Sequence, residues 1–125
     1  MAMMCRGFRG ATTAAENTEA AMAEATEDLL RAMVEANGLE AEYIAAAWFT
    51  TTHDLNAMFP ATVARRSLGW TGVALMNGHE IGVPGGLSMC IRVMLLVNTE
   101  KTQEEIQHVY LRGAVNLRQR DGRNS

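Results

Sequence analysis

The sequence lacks the features that mark membrane, secreted or metal-binding proteins. Its apolar stretches fall well short of the roughly eighteen residues that cross a bilayer, and residues 1–8 hold no signal-peptide core. Cys5 and Cys90 are too few for a disulfide framework, and no Cys or His spacing is typical of a metal site. We therefore expect a cytoplasmic protein with reduced thiols, no membrane association and no metal site.

Motifs for nucleophilic or phosphate chemistry are also missing. No G-x-S-x-G elbow occurs, and the His-Glu pair at 79–80 lacks the second histidine of an H-E-x-x-H site because Val83 stands there. The glycine-rich segment 82–86 has neither the lysine nor the helix of a phosphate loop. The His-Asp pair at 53–54 lies in an expected loop, which indicates a solvated turn rather than half of a catalytic triad.

Lysine is nearly absent, although arginine is not. Arginine supplies all of the basic residues except Lys101, and the formal net charge of −3 gives no indication of nucleic-acid binding. Arginine binds carboxylates through two parallel hydrogen bonds, whereas lysine offers a point charge. The bias is compatible with a carboxylate ligand and equally with codon usage.

The length of 125 residues fits one domain, and a substrate-sized cleft within one subunit would use much of its core. A site between subunits is therefore plausible. We expect a single α/β domain over residues 1–118, with a mixed sheet and helices on one side. Residues 119–125 form a polar tail that we expect to be disordered.

Hydrophobic periodicity and turn residues predict the individual elements. Strands are expected at 5–9, 43–52, 70–76, 87–98 and 109–117, with a turn at 9–13 and loops at 53–58 and 77–86. A long helix should begin at a cap on Asn17 or Thr18, end at Gly38 and bury the apolar positions Met22, Ala25, Leu29, Met33 and Ala36. Shorter helices are expected from Pro60 to Leu68, closed by Gly69, and at 103–108 after a Thr102–Glu105 capping box.

Arginines in and beside strands are the strongest candidates for binding an anion. Arg92 lies inside an apolar strand, where a guanidinium needs an anionic partner; spacing alone favours a structural salt bridge over a ligand. Arg9 could reach a cleft or be a surface charge, and Arg65 and Arg66 diverge by about 100° on a helix, so at most one faces a site. Glu80 could accept a hydrogen bond from a ligand hydroxyl or be solvated, and Tyr110 could be a core residue. Together they suggest a pocket for a small polycarboxylate.

Four motifs, in order, resemble those of the AroH-class chorismate mutases, a family of trimeric α/β enzymes. They are R-G-F-R-G-A-T-T at 6–13, H-D-L-N-A-M-F-P-A at 53–61, G-G-L followed by C-I-R-V-M at 85–94, and H-V-Y-L at 108–111. The resemblance spans residues 5–118. It implies a homotrimeric pseudo-α/β-barrel with sites between subunits and a Claisen-type rearrangement of chorismate to prephenate, a step toward phenylalanine and tyrosine, without cofactor.

The resemblance also implies a role for each site residue. Arg92 would stabilise the ether oxygen as the C–O bond breaks, Arg9 would pair with a substrate carboxylate, Glu80 would take the ring hydroxyl and Tyr110 would bind the side-chain carboxylate. Apolar walls and a positive mouth would complete the site. The expected substrate-binding residues are Phe59, Ala61, Arg65, Leu75, Met76, Asn77, Gly78, His79, Leu117 and Arg118.

Two positions depart from the family pattern. Thr62 stands where many members carry a lysine, and Asn77 stands where a cysteine commonly contacts the substrate hydroxyl. Because an amide still donates and accepts, these changes predict altered affinity rather than lost chemistry. The alternatives are an imine-hydrolysing deaminase of similar trimeric fold and a non-catalytic trimer that senses an anionic metabolite.

Overall fold

The computed structural model describes residues 2–117. The helices are α1 (Glu19–Asn37) and α2 (Pro60–Ser67), and the strands are β1 (Met4–Thr13), β2 (Ile44–Thr51), β3 (Ala74–His79), β4 (Cys90–Thr99) and β5 (Val109–Tyr110). Over these residues the strands form one sheet in the spatial order β3-β2-β4-β1-β5. Strand β4 is antiparallel to β1 and β2, whereas β5 runs parallel to β1 and β3 parallel to β2. The predicted α/β class with a mixed sheet is confirmed; the tail at 119–125 lies outside the described residues.

Helix α1 begins and ends where the sequence predicts. The Thr18 side chain accepts a hydrogen bond from the Ala21 backbone, and Gly38 closes the helix at a φ of 63°, which glycine adopts without strain. The expected apolar face is buried except at its last position, because Ala36 is exposed and Asn37 is buried instead. The Asn37 amide accounts for this exchange, since it donates to the Gln107 carbonyl and accepts from the Gln107 backbone nitrogen.

Both helices pack on the same face of the sheet. Side chains alternate along each strand, so Phe8, Phe49 and Leu95 point to one face and are fully buried. Leu29 of α1 and Ala64 of α2 belong to the same core cluster as these strand residues. The prediction that the helices lie on one side is therefore confirmed, and we call this the covered face of the sheet.

The opposite face, the open face, carries exposed apolar side chains. Trp48 is 54% exposed and Met76 is 56% exposed, on neighbouring strands β2 and β3, where they are register partners. Met94 and Leu96 continue this surface on β4, each at 36% exposure. No element among residues 2–117 covers these side chains.

Two predicted boundaries in the first half of the sheet are wrong. Residues 9–13 do not turn but extend β1 to Thr13, and Gly10 lets this part of the strand approach α1: an added Cβ would lie 2.4 Å from the Met33 sulfur. Strand β3 begins at Ala74 rather than at residue 70 and continues through residues 77–79, which were expected in a loop. Its parallel pairing with β2 runs as far as the Thr51 and His79 partners, and this explains the shift.

The other boundary corrections lie in the second half of the chain. Strand β4 begins at Cys90, not at residue 87. The helix expected at 103–108 is a single 3-10 turn, Gln103–Glu105, because Asn37 holds the backbone of residue 107 in a non-helical position. The strand expected at 109–117 stops at Tyr110, since Arg112 turns the chain at a φ of 52° and begins another 3-10 turn.

Candidate active site

A cavity of about 340 Å³ opens on the open face of the sheet and brings the principal candidate residues together. Arg9 of β1, Glu80 beyond the end of β3, Arg92 of β4 and Tyr110 of β5 all line it. The strand register explains the meeting: Thr50, Arg92, Ala11 and Tyr110 are consecutive cross-strand partners and form one row across the sheet. Residues separated by up to a hundred positions thereby face a single space.

Arg92 and Glu80 form a loose ion pair at the floor of this cavity. Arg92 Nε lies 3.6 Å from Glu80 Oε2, and the side chains remain 31% and 26% exposed. A tight charge-assisted pair is closer to about 2.8 Å. Spacing alone favoured a structural salt bridge for Arg92, and the structure shows a loose pair whose cation also faces the cavity.

Tyr110 adds a hydrogen-bonding group that the described residues leave unused. Its hydroxyl is buried and has no hydrogen-bond partner within residues 2–117. A buried polar group without a partner is rare in folded proteins, because it forfeits the hydrogen bonds that it makes with water. A ligand with an acceptor oxygen would satisfy it.

The polar surroundings of the site also include a backbone hydrogen bond of Arg9 and the thiol of Cys90. The Arg9 backbone nitrogen donates to His108 Nδ1 at 3.0 Å, which ties β1 to the segment before β5. Burial raises the pKa of the Cys90 thiol above its ordinary value, an effect larger than the opposing charge of Arg92. At neutral pH Cys90 is therefore a neutral thiol that packs beside the guanidinium and not a nucleophile.

A second cavity of about 530 Å³ gathers another part of the predicted set. Phe59, Asn77, Gly78 and His79 line it, between the start of α2 and the end of β3. Asn77 Oδ1 accepts a hydrogen bond from the Ala61 backbone nitrogen at 3.0 Å. The side-chain Nδ2 of Asn77 is then the group that could donate to a ligand. Thr62, the other departure from the family pattern, also lines this cavity.

The remaining predicted residues are dispersed. Leu117 lines the first cavity, Met76 lies on the open face, and Ala61 and Leu75 pack in or against the core. Of the two α2 arginines, Arg66 lines the second cavity, whereas Arg65 is exposed and lines neither. Arg118 lies outside the described residues. A single chain thus presents two groups of predicted site residues, in separate cavities.

The site residues predicted from the sequence leave out several that line the first cavity, among them Trp48, Thr50 and Met94. Trp48 and Thr50 are two apart on β2, and Met94 is two residues from Arg92 on β4, so each pair shares a face of its strand. The alternation was therefore a usable signal.

Two further features of the described residues concern metal binding and membrane spans. Among residues 2–117, no three His, Cys, Asp or Glu side chains cluster so as to hold a metal ion. No helix in the same part of the chain is long and apolar enough to span a membrane. Fold and site together define a class: α/β proteins whose mixed sheet carries two arginines, a carboxylate and a phenol around one cavity.

Comparison with known proteins gives this class a family. The model of the family described as chorismate mutase, type I, matches residues 5–121. The chorismate mutase AroH of Thermus thermophilus is 48% identical over 92% of this chain and 94% of its own length. The corresponding protein of Bacillus subtilis is 42% identical over 93% of this chain and 91% of its own.

A solved structure agrees with the sequence comparisons. The chorismate mutase from Clostridium thermocellum superposes with a TM-score of 0.85 at 51% identity, covering 87% of this chain and 96% of its own. This chain belongs to the type I chorismate mutase family.

Proposed function

We propose that the chain converts chorismate to prephenate in the cavity formed by Arg9, Glu80, Arg92 and Tyr110. The observation that carries this proposal is the arrangement of two cations, one carboxylate and an unpartnered phenol around one space of about 340 Å³. Chorismate is a dianion with a ring hydroxyl, so it offers an acceptor to each cation and to the phenol, and a donor to Glu80. Family membership supports the same reaction.

The rearrangement breaks a C–O bond and forms a C–C bond within one molecule, with no proton transfer and no covalent intermediate. Negative charge grows on the ether oxygen in the transition state while the ring becomes cation-like. A guanidinium fixed beside that oxygen interacts more strongly with the transition state than with the substrate, which is the condition for lowering the barrier. We assign this role to Arg92, because its side chain lines the cavity and its pair with Glu80 is loose.

The other residues hold the substrate in its reactive, compact conformer. Arg9 pairs with one carboxylate, Tyr110 donates its unpartnered hydroxyl to the other, and Glu80 accepts the ring hydroxyl close to the developing positive charge. Fixing the two ends of the molecule removes conformational entropy before the reaction, which accelerates it.

We also propose that three copies assemble with their open faces inward, in a pseudo-α/β-barrel, and complete each site from two subunits. Trp48, Met76, Met94 and Leu96 form an apolar surface that a lone subunit leaves in water. Phe59, which is 69% exposed beside the second cavity, would reach the first cavity of a neighbour with Ala61, Arg65, Leu75, Asn77 and their flanking residues. We place the enzyme in the cytoplasm, in aromatic amino acid biosynthesis.

The direct test of activity follows the loss of chorismate absorbance with purified protein. We expect turnover far above the spontaneous rate, with prephenate as the product. Disappearance of chorismate at the uncatalysed rate would refute the proposed function.

Subunit mixing tests the shared site. Arg92→Ala disables one group of site residues and Phe59→Asp the other, so each variant alone should be inactive. Mixed after unfolding and refolding together, the two should regain activity, because some interfaces pair two native groups. Mixtures that stay inactive while sedimenting as trimers would show that each subunit carries a whole site.

A further inference from the structure

We propose that Thr50 is a positioning residue: its hydroxyl aims the Glu80 carboxylate and so keeps the Arg92 guanidinium available to the substrate. The Thr50 hydroxyl donates a hydrogen bond to Glu80 Oε2, the same oxygen that lies 3.6 Å from Arg92 Nε. The inference rests on the proposed function, because it concerns the use of Arg92 and Glu80 in that reaction.

The register of the sheet places Thr50 where it can compete with Arg92 for this oxygen. Thr50 and Arg92 are directly opposed across the β2–β4 pair, and both lie on the open face. Glu80 follows the last residue of β3, on the other side of β2, so its side chain passes Thr50 on the way to Arg92. The hydroxyl is therefore the first donor that the carboxylate meets.

Hydrogen bonds to its amide and carbonyl fix the backbone of Glu80. Thr50 therefore acts on the direction of the side chain alone. The Glu80 amide donates to the Thr51 carbonyl at 2.8 Å. The Glu80 carbonyl lies 3.1 Å from His53 Nε2, and the His53 ring stacks on His79 with centroids 4.6 Å apart. Residues 50–53 thus hold the amide, the carbonyl and the carboxylate of this one residue.

Loss of the Thr50 hydroxyl would change the charge that the substrate meets. A carboxylate released from Thr50 has one strong donor left beside it, and closing on Arg92 would give a tight, two-bonded pair. Such a pair neutralises the cation and turns its N–H groups away from the ether oxygen. Because that interaction is stronger in the transition state than in the substrate complex, the loss should fall on kcat more than on KM.

The test compares Thr50→Val, which keeps the shape and removes the donor, with Thr50→Ser, which keeps the donor. We expect Thr50→Val to lower kcat about tenfold with KM changed less than about threefold, as for the loss of one hydrogen bond to a charged group. Thr50→Ser should retain most of the activity. Thr26→Val is the matched control, because the buried Thr26 hydroxyl has no partner within residues 2–117 and lies on α1, away from the cavity.

A double-mutant cycle separates positioning from a general structural role. In a Glu80→Ala background, Thr50→Val should cost less than about twofold, since the group that it positions is gone. An equal loss in both backgrounds would overturn the proposal, and so would full activity of Thr50→Val.

A crystal structure of Thr50→Val supplies a readout that does not depend on turnover. We expect a Glu80 carboxylate oxygen to approach Arg92 to about 2.8 Å. An unmoved carboxylate would overturn the positioning role even if the enzyme is active. If the unsubstituted chain does not turn over chorismate, the proposed function is refuted. The position of the Glu80 carboxylate in Thr50→Val then still shows whether Thr50 positions it.

Discussion

The two faces of the sheet differ although the same strands build both. On β4, Leu95 is fully buried on the covered face, whereas its neighbour Leu96 is 36% exposed on the open face. The covered face is closed by α1 and α2 and carries apolar side chains almost throughout. The open face combines apolar side chains with Arg9, Arg92 and Glu80 around the first cavity. The covered face holds the core of the fold, and the open face is where we propose that the reaction and the assembly take place.

Charge on the open face is tolerable because the first cavity keeps it partly solvated. A guanidinium in the covered face would lose its hydration and gain no anionic partner. This desolvation would cost on the order of several kcal/mol of folding free energy. Because successive side chains of β4 point to opposite faces, one residue can pack in the core while the next lines the cavity.

The largest effect is expected from Arg92→Lys, which breaks the chemical function of the open face and leaves the covered face intact. Lysine is a point charge on a shorter and differently directed side chain, so it cannot reproduce the placement of the guanidinium. We expect kcat to fall by about 10³, on the scale of losing one preorganised donor, with an unchanged melting temperature. Arg31→Lys on α1, an exposed arginine that pairs with Glu27, is the control and should leave kcat unaltered. Near-normal turnover of Arg92→Lys would make Arg92 a structural residue.

The next effect separates the two faces on one strand. Leu95→Ala should lower the free energy of unfolding by about 3 kcal/mol, because it empties a fully buried site in the core. Leu96→Ala should lower it by less than about 1 kcal/mol within one chain, and, if the proposed trimer forms through the open face, should raise the protein concentration at which that trimer dissociates. Urea denaturation at several protein concentrations, together with sedimentation, measures both. Equal losses of unfolding free energy would show that the faces are not distinct.

The overall architecture could be predicted from the sequence because it depends on strong local signals. The limits of α1 follow from a threonine cap, a periodic apolar face and a glycine at positive φ, each independent of distant residues. Strand limits depend on partners instead. Strand β3 extends to His79 because β2 offers pairing there, and β5 is short because the chain turns at Arg112, and neither fact is visible in a single segment.

The candidate site divides in the same way. Arg92 could be predicted because a charge inside an apolar strand is unusual. Arg9, Glu80 and Tyr110 were weak candidates from the residues alone, and the resemblance to the family gave each of them a role. The residue type of Thr50 carries no signal, because threonine is common in strands; alternation along β2 places it on the face of Trp48, and the register sets it opposite Arg92. The unpartnered hydroxyl of Tyr110 likewise depends on its surroundings and not on sequence.

The smallest effect concerns Asp54, which binds the backbone directly before β4. The Asp54 carboxylate accepts hydrogen bonds from the Met89 backbone nitrogen, at 3.0 and 3.2 Å, and from the Thr52 hydroxyl. Met89 lies directly before β4 at a φ of 53°, so Asp54 stabilises the backbone bend from which the alternation of β4 begins. A slip of one residue there would exchange the two faces.

These contacts make the contribution of Asp54 dependent on pH. The Thr52 hydroxyl, helped by the Met89 amide and opposed by burial, holds the pKa of Asp54 below its ordinary value of 3.8. A depressed pKa means that the stabilisation is complete well above pH 3.8 and is lost as the pH falls through the lower folded value. Asp54→Ala should therefore lower the free energy of unfolding by about 1 kcal/mol near neutrality, allowing for solvent screening, and by progressively less in acid. Asp28→Ala, which removes an exposed partner of Arg112, is the control and should cost less than about 0.5 kcal/mol at neutral pH. A difference between wild type and Asp54→Ala that stays constant from pH 7 to below pH 3 would show that the carboxylate does not hold the start of β4.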